Sequence, residues 1–171
     1  QDWIVSKSSR INLANASSGQ QEATPMLLLL TVWPYMFRAR GEVGTLYIEE
    51  PEAHLFPDSQ SRLVSLFSIL TGKPNCRFFI TTHSPYILSA LNNLILAFDA
   101  IKDGRLEESE FMKVNGRCEP LSFEDVSAYT MEKGQLRDIK DNDTRMVGGE
   151  VLDKVSEHFE EVVDYILSSG E

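Results

Sequence analysis

The stretch Thr45-Leu46-Tyr47-Ile48-Glu49-Glu50-Pro51-Glu52-Ala53-His54-Leu55-Phe56-Pro57 constrains this chain more than any other. Its first four residues form a β-prone run that passes without a break into two carboxylates, a proline and a third carboxylate. Ligands of open α/β sheets sit at the carboxyl ends of the strands, and this order puts Glu49 and Glu50 there. Adjacent acids in such a place can divide the labour of nucleotide hydrolysis, one holding a magnesium ion or its water and the next polarising the attacking water. A solvated acidic loop is the plainer alternative, but it leaves the coupling of strand, acids and proline unexplained.

Helical and strand patterns alternate around this stretch through the first hundred residues. A helix is expected from near Ser18 to Arg40, with Ser18 and Gln21 in capping-box spacing, Pro25 and Pro34 as irregularities and Gly41 to Gly44 as its stop. After Pro57, Leu63, Leu66, Phe67 and Leu70 recur at helical spacing until Gly72-Lys73-Pro74. Arg77 to Thr81 reads as a second buried strand, and Ser84-Pro85 pairs an N-cap serine with proline at the first helical position, opening a helix to about Asn92. Beyond it the pattern predicts a strand over Leu94 to Ile101, joined by the hairpin dipeptide Asp103-Gly104 to another over Leu106 to Val114. A turn at Asn115-Gly116 follows, then a hairpin of Val126 to Met131 with Gln135 to Ile139. An amphipathic helix from about Glu150 to Ser168 carries Val151, Val155, Phe159, Val162 and Ile166 on one face. The fold class implied is α/β with a mostly parallel sheet, flanking helices and a small β-hairpin region.

At 171 residues with 42% apolar and 25% charged side chains, the chain can bury a core without metal or disulfide staples. The longest mostly apolar stretch, Met26 to Phe37, is interrupted by Pro34 and is too short to cross a bilayer. Cys76 and Cys118 stand far apart and outside any CxxC spacing, so a reducing, cytoplasmic setting is expected. Gln1 is neither an initiator methionine nor part of a leader, and the chain is expected to be a piece of a larger protein. Residues 1–98 carry 7 acidic and 7 basic side chains, whereas residues 99–171 carry 19 and 9, so the second part holds the whole net charge of −10. Such a surface repels the phosphate backbone of nucleic acid, and any DNA contact is expected from other regions.

Two further stretches carry chemistry. Ala16-Ser17-Ser18-Gly19-Gln20-Gln21-Glu22 is a small-residue turn that opens a helix, an arrangement that suits an anion such as phosphate and that an ordinary helix cap explains equally well. Thr81-Thr82-His83-Ser84-Pro85 places an imidazole at a strand's carboxyl end, where it could donate to a phosphate oxygen or serve only the fold.

In this order and spacing the three stretches resemble the C-terminal lobe of an ABC-type ATPase, of the SMC, RecF and OLD-like branch, over residues 12–92. Ala16 to Gln20 is similar to the signature motif, Leu46 to Glu50 to the Walker B strand with its catalytic glutamate, Pro51 to Pro57 to the D-loop, and His83 to the switch histidine. The resemblance implies a P-loop NTPase-like fold, ATP and Mg2+ as cofactors, Glu49 holding the metal through water, Glu50 as general base and His83 on the γ-phosphate. It also implies that Ser17, Ser18, Gly19 and Gln20 bind ATP held by a second subunit, so that the parent works as a homodimer through composite sites. In that picture Gly19→Asp blocks ATP-driven dimerisation while leaving the monomer folded.

The sequence departs from the family pattern in two ways. Glu49-Glu50 replaces the usual Asp-Glu, a variant associated with the OLD-like and RecF-like relatives. There is also no P-loop: at the Gly72-Lys73 pair, Phe67 stands where the first glycine of GxxxxGK[ST] belongs and Pro74 where the Ser or Thr belongs. The phosphate cradle is therefore expected in an N-terminal lobe outside these residues, with residues 1–98 as the motif-bearing half and 99–171 as an acidic continuation of the same lobe. The resulting expectation is an ATP hydrolase in the full-length parent, inactive as this piece alone, coupling ATP-driven dimerisation to DNA-related or defence work, with no membrane contact. Two alternatives remain. One is a metal-dependent hydrolase or nuclease with Glu49, Glu50, Glu52, His54 and His83 as direct ligands; the other is a non-catalytic domain whose acidic portion binds a basic partner.

Overall fold

The computed structural model describes residues 2–5, 7, 9–72 and 76–148. They divide into two compact units, the first running to Ile87 and including Gly116–Glu119, the second made of Leu88–Asn115 with the described residues from Pro120 onward. The helix expected from Glu150 lies outside the described residues.

The first unit opens with two short antiparallel strands, β1 (Trp3–Val5) and β2 (Arg10–Asn12), with the Arg10 guanidinium 4.3 Å above the Trp3 ring. Helix α1 (Ser18–Arg40) follows, and it runs through Pro25 and Pro34 without a break. Each proline removes one amide donor from the helix, and the hydroxyls of Thr24 and Thr31 bond back to the carbonyls of Gln20 and Leu28. Gly41, at φ +66, ends the helix: its N–H reaches Arg38 O and that of Glu42 reaches Phe37 O, the paired bonds of a Schellman motif.

Strand β3 (Gly44–Glu49), helix α2 (Pro57–Thr71) and strand β4 (Cys76–Thr81) complete the unit, with β3 and β4 paired in parallel. Side chains alternate across this pair as the two-residue period requires. Ile48, Phe78 and Ile80 pack with Leu30 of α1 and Leu63, Phe67 and Leu70 of α2, each buried side chain contributing roughly 1.5–3 kcal/mol. Tyr47 and Phe79 occupy the opposite face, their rings 5.4 Å apart and largely exposed.

The second unit corrects several sequence expectations. Leu94 to Ile101 is not a strand but part of helix α3 (Pro85–Lys102), whose buried Ile87, Ala90, Leu94, Ile95 and Ala97 recur at helical spacing. Asn92, expected near the end of a helix, lies inside it; its buried side chain donates to Val147 O (3.0 Å) and accepts from Val147 N (2.8 Å), pairing with a backbone as a strand would. Asp103-Gly104 is not a hairpin turn. Gly104, at φ +70, caps α3, with Gly104 N on Ile101 O and Arg105 N on Ala100 O. The residues after it form helix α4 (Glu108–Asn115) rather than a strand.

The expected later hairpin is present as antiparallel β5 (Tyr129–Glu132) and β6 (Gln135–Asp138), turned by Lys133 and Gly134, both at positive φ. A small ladder of β7 (Lys140–Asp141) with β8 (Met146–Val147) follows. Among the described residues the parallel sheet thus extends to two strands, and the other three pairs are antiparallel. Ile95, Phe123 and Val147 form the unit's core. Beside it the Arg145 guanidinium grips Asp99 (2.5 and 3.0 Å) and Glu124 (2.9 and 3.3 Å). That grip, with a bond from Ser122, holds the Glu124 carboxyl down at about 2, and Arg145 likewise lowers Asp99.

Candidate functional site

Strands β3 and β4 are in register from Gly44 opposite Cys76 to Glu49 opposite Thr81, so both discharge at the same end. Glu50 extends the ladder by donating its N–H to Thr81 O (2.9 Å) and then turns away at φ +42. Ala53 N closes on Glu50 O (3.0 Å), Leu55 N on Glu52 O (2.9 Å), and His54 adds a second left-handed residue at φ +59. Such conformations cost non-glycine residues on the order of 1–3 kcal/mol each and cluster where a site over-determines the backbone. Gln60, buried on α2, clamps the turn by donating to Leu55 O (2.9 Å) and accepting from Ser84 Oγ (2.5 Å). The sequence holds a signal for it: a glutamine on the apolar stripe that continues through Leu63, Val64 and Phe67.

The parallel register brings two expected residues together, His83 Nε2 lying 3.4 Å from Glu50 Oε1. The carboxylate of Glu49 is exposed and has no partner among the described residues. Both acids open on a cleft of about 560 Å³ that also carries Glu22 and Tyr47 and has no Lys or Arg in its walls. Three carboxylates without a cation repel a bare polyphosphate, whereas a free carboxylate beside a second one suits a magnesium ion that keeps most of its water. The donor set therefore fits Mg2+ at Glu49 with Glu50 next to it.

Direct coordination by the wider set fails on geometry. His54 Nε2 turns to Glu22 Oε1 (3.4 Å), Glu52 turns inward to Thr82, and no group of three or more His, Cys, Asp or Glu able to hold an ion exists among the described residues. The five residues of the metal-dependent hydrolase alternative are thus not gathered into one ligand set.

At the start of α1 the capping box is Ser17 with Gln20, one residue earlier than Ser18 with Gln21. Gln20 N donates to Ser17 Oγ (3.3 Å) and Ser17 N to Gln20 Oε1 (3.1 Å). Gln21 is drawn off to the carbonyls of Ala14 and Ala16. Ser17 and Gln20 are thus engaged in holding the helix end, while Ser18, the first helical residue, is exposed. Gly19 is buried, and a Cβ there would lie 2.6 Å from the carbonyl oxygen of His54. The expectation that Gly19→Asp spares the monomer is therefore corrected: this glycine lets α1 meet the 54–55 backbone within one chain. The four expected ATP-binding residues are the N-cap and first three residues of α1, a helix start tied to the turn after β3 by the Gly19 contact and by the Glu22 to His54 pair.

Comparison with known proteins says what this parallel β-α-β unit, with acids at its carboxyl edge and a histidine beside them, is similar to. Residues 4–88 match the AAA ATPase domain family, and the resemblance to OLD-like ATPases holds. A 50-residue stretch is 42% identical to the OLD nuclease of Thermus scotoductus, covering 29% of this chain and 10% of that protein, so the chain spans about a tenth of the relative it matches. No solved structure matches significantly. Among the described residues no helix is long and apolar enough to cross a membrane.

Proposed function

We propose that this chain is one half of an ATP site, the C-terminal lobe of an OLD-like ATPase whose P-loop lies in a separate N-terminal lobe. Glu49 holds Mg2+ through water, Glu50 takes the proton of the attacking water, and His83 steadies the γ-phosphate. Ser18, with the helix start built by Ser17, Gly19 and Gln20, faces ATP bound to a second copy. The observation that carries the reading is the meeting of Glu50 and His83 at the shared carboxyl edge of β3 and β4. A cleft with three acids and no cation supports it further, because such a surface needs charge neutralisation from a P-loop lysine and the metal before a triphosphate can sit there. DNA-related or defence work in the cytoplasm completes this reading, and the relative's name, a nuclease, supports its DNA-related part.

Calorimetric titration of this chain with Mg-ATP is expected to show weak binding or none, and micromolar affinity would overturn the half-site. In the parent carrying both lobes, Glu50→Gln keeps nucleotide binding, loses turnover and accumulates the ATP-bound dimer, since the amide preserves shape but cannot accept the proton. Wild-type turnover in that variant removes Glu50 from the mechanism.

A further inference from the structure

Glu52 is 8% exposed, in a turn whose neighbouring acids Glu49 and Glu50 are open to solvent. Its Oε1 accepts from Thr82 Oγ1 (2.5 Å) and from the backbone N–H of His83 (3.1 Å), and Thr82 Oγ1 accepts in turn from Ser84 N (3.0 Å). Its Oε2 is buried without a hydrogen-bond partner among the described residues. Burying a carboxylate with one oxygen unpaired costs free energy that a solvated residue here would avoid.

The bonds that Glu52 does make converge on one place, the backbone that presents His83. That backbone matters because the His83 side chain is 88% exposed. An imidazole with so little protein around it is placed by its own N–H and Cα, and Glu52 holds that N–H from the turn that begins at Glu50. We propose that Glu52 is a positioning residue which, through Thr82 Oγ1 and His83 N, sets the imidazole opposite Glu50. The role rests on the reading of Glu50 and His83 given above, and Glu52 itself touches neither ATP nor the attacking water.

The test uses the two-lobed parent and its steady-state ATP hydrolysis. Glu52→Ala is expected to lower kcat roughly tenfold or more, as misplacement of a reacting group does, with KM for ATP within about twofold because the P-loop supplies the ground-state grip. Glu52→Gln, which keeps an acceptor oxygen, recovers most of that loss. Thr82→Val removes the hydroxyl bond while leaving the carboxylate in place; it slows kcat several-fold and carries the test if Glu52→Ala does not fold. In a His83→Ala background neither Glu52→Ala nor Thr82→Val slows turnover further, a result that general damage to the fold cannot produce. If His83→Ala is slow but the Glu52 and Thr82 variants turn over like wild type, or if they slow His83→Ala further, the positioning role falls and the reading of the site stands. If His83→Ala turns over at the wild-type rate, the reading of the site falls and the role with it.

Discussion

Gly19→Ala adds one methyl group where the structure has room for none. The new Cβ would lie 2.6 Å from His54 O, 3.3 Å from His54 C and 3.3 Å from Leu55 Cδ2. A backbone carbonyl cannot rotate aside as a side chain can, so the 54–55 segment must retreat by roughly 0.5 Å or more to restore a tolerable contact. That segment contains the left-handed His54 and is clamped by Gln60 on Leu55 O, so its freedom to yield is small. Overpacking of this kind costs about 1–3 kcal/mol, against a helix-propensity gain of at most about 1 kcal/mol for replacing glycine by alanine. The expected net loss is about 1–2 kcal/mol. Urea unfolding of the chain followed by circular dichroism reads it as a lowered midpoint with an unchanged slope. Gly72→Ala is the control, because Gly72 has helical geometry and its Cβ would meet Glu119 Cγ at 3.4 Å, Ser68 O at 3.6 Å and Glu119 Cδ at 3.8 Å, all ordinary contacts. That variant is expected to be neutral or slightly stabilising. A Gly19→Ala protein as stable as the wild type would refute the contact and restore a purely intermolecular role for this glycine.

Two further outcomes concern the second unit. Asn92→Ala strands the N–H and carbonyl of Val147, which is fully buried, and is expected to cost about 2–4 kcal/mol in the same unfolding assay; a loss below about 0.5 kcal/mol would show that the pairing contributes little. Glu124 and Asp99 are both lowered, so the stability they confer is complete above the ordinary carboxylate range near 4.5 and is lost as pH falls toward about 2. Arg145→Met removes the cause, and the gap in melting temperature between wild type and variant should narrow between pH 5 and 2.5; parallel curves would contradict the assignment.

How much of this was legible in the sequence follows from how local each signal is. The strand that ends in Glu49-Glu50 and the helices around it were legible because period and punctuation are properties of neighbouring residues: Pro57 opens α2 and Gly41 closes α1. Leu94 to Ile101 was misread because Asn92-Asn93 looks like a break. Only the distant Val147 makes a buried asparagine stable inside that helix, and no local pattern reports such a partner. Asp103-Gly104 failed for a related reason, since a glycine at positive φ serves a helix cap as well as a hairpin, and the helical face before it decides which. In the site, the residue types were readable, but no local pattern reports which way Glu52 faces; burial separates the open pair from this inward-facing third.

The burial of Gly19 also changes how a composite ATP site must be tested, because a variant there perturbs the fold before it perturbs a partner. Ser18 is the better probe. It is exposed, opens α1, and takes no part in the capping box of Ser17 and Gln20. Ser18→Glu places a negative charge in the first turn of the helix, where the macrodipole makes it stabilising by about 0.3–1 kcal/mol, so the variant is expected to melt at or slightly above the wild-type temperature. The same charge is repelled by the phosphates of an ATP that a second copy presents to this helix start. In the two-lobed parent, ATP-dependent dimerisation followed by light scattering is therefore expected to fail in a fully folded protein. Mixing Ser18→Glu with a parent disabled in its P-loop leaves one composite site whole, and roughly half the activity per dimer returns if the two sites act independently. A Ser18→Glu protein that dimerises with ATP and turns over like the wild type would mean that the start of α1 does not face a partner's nucleotide, whatever the roles of Glu50 and His83.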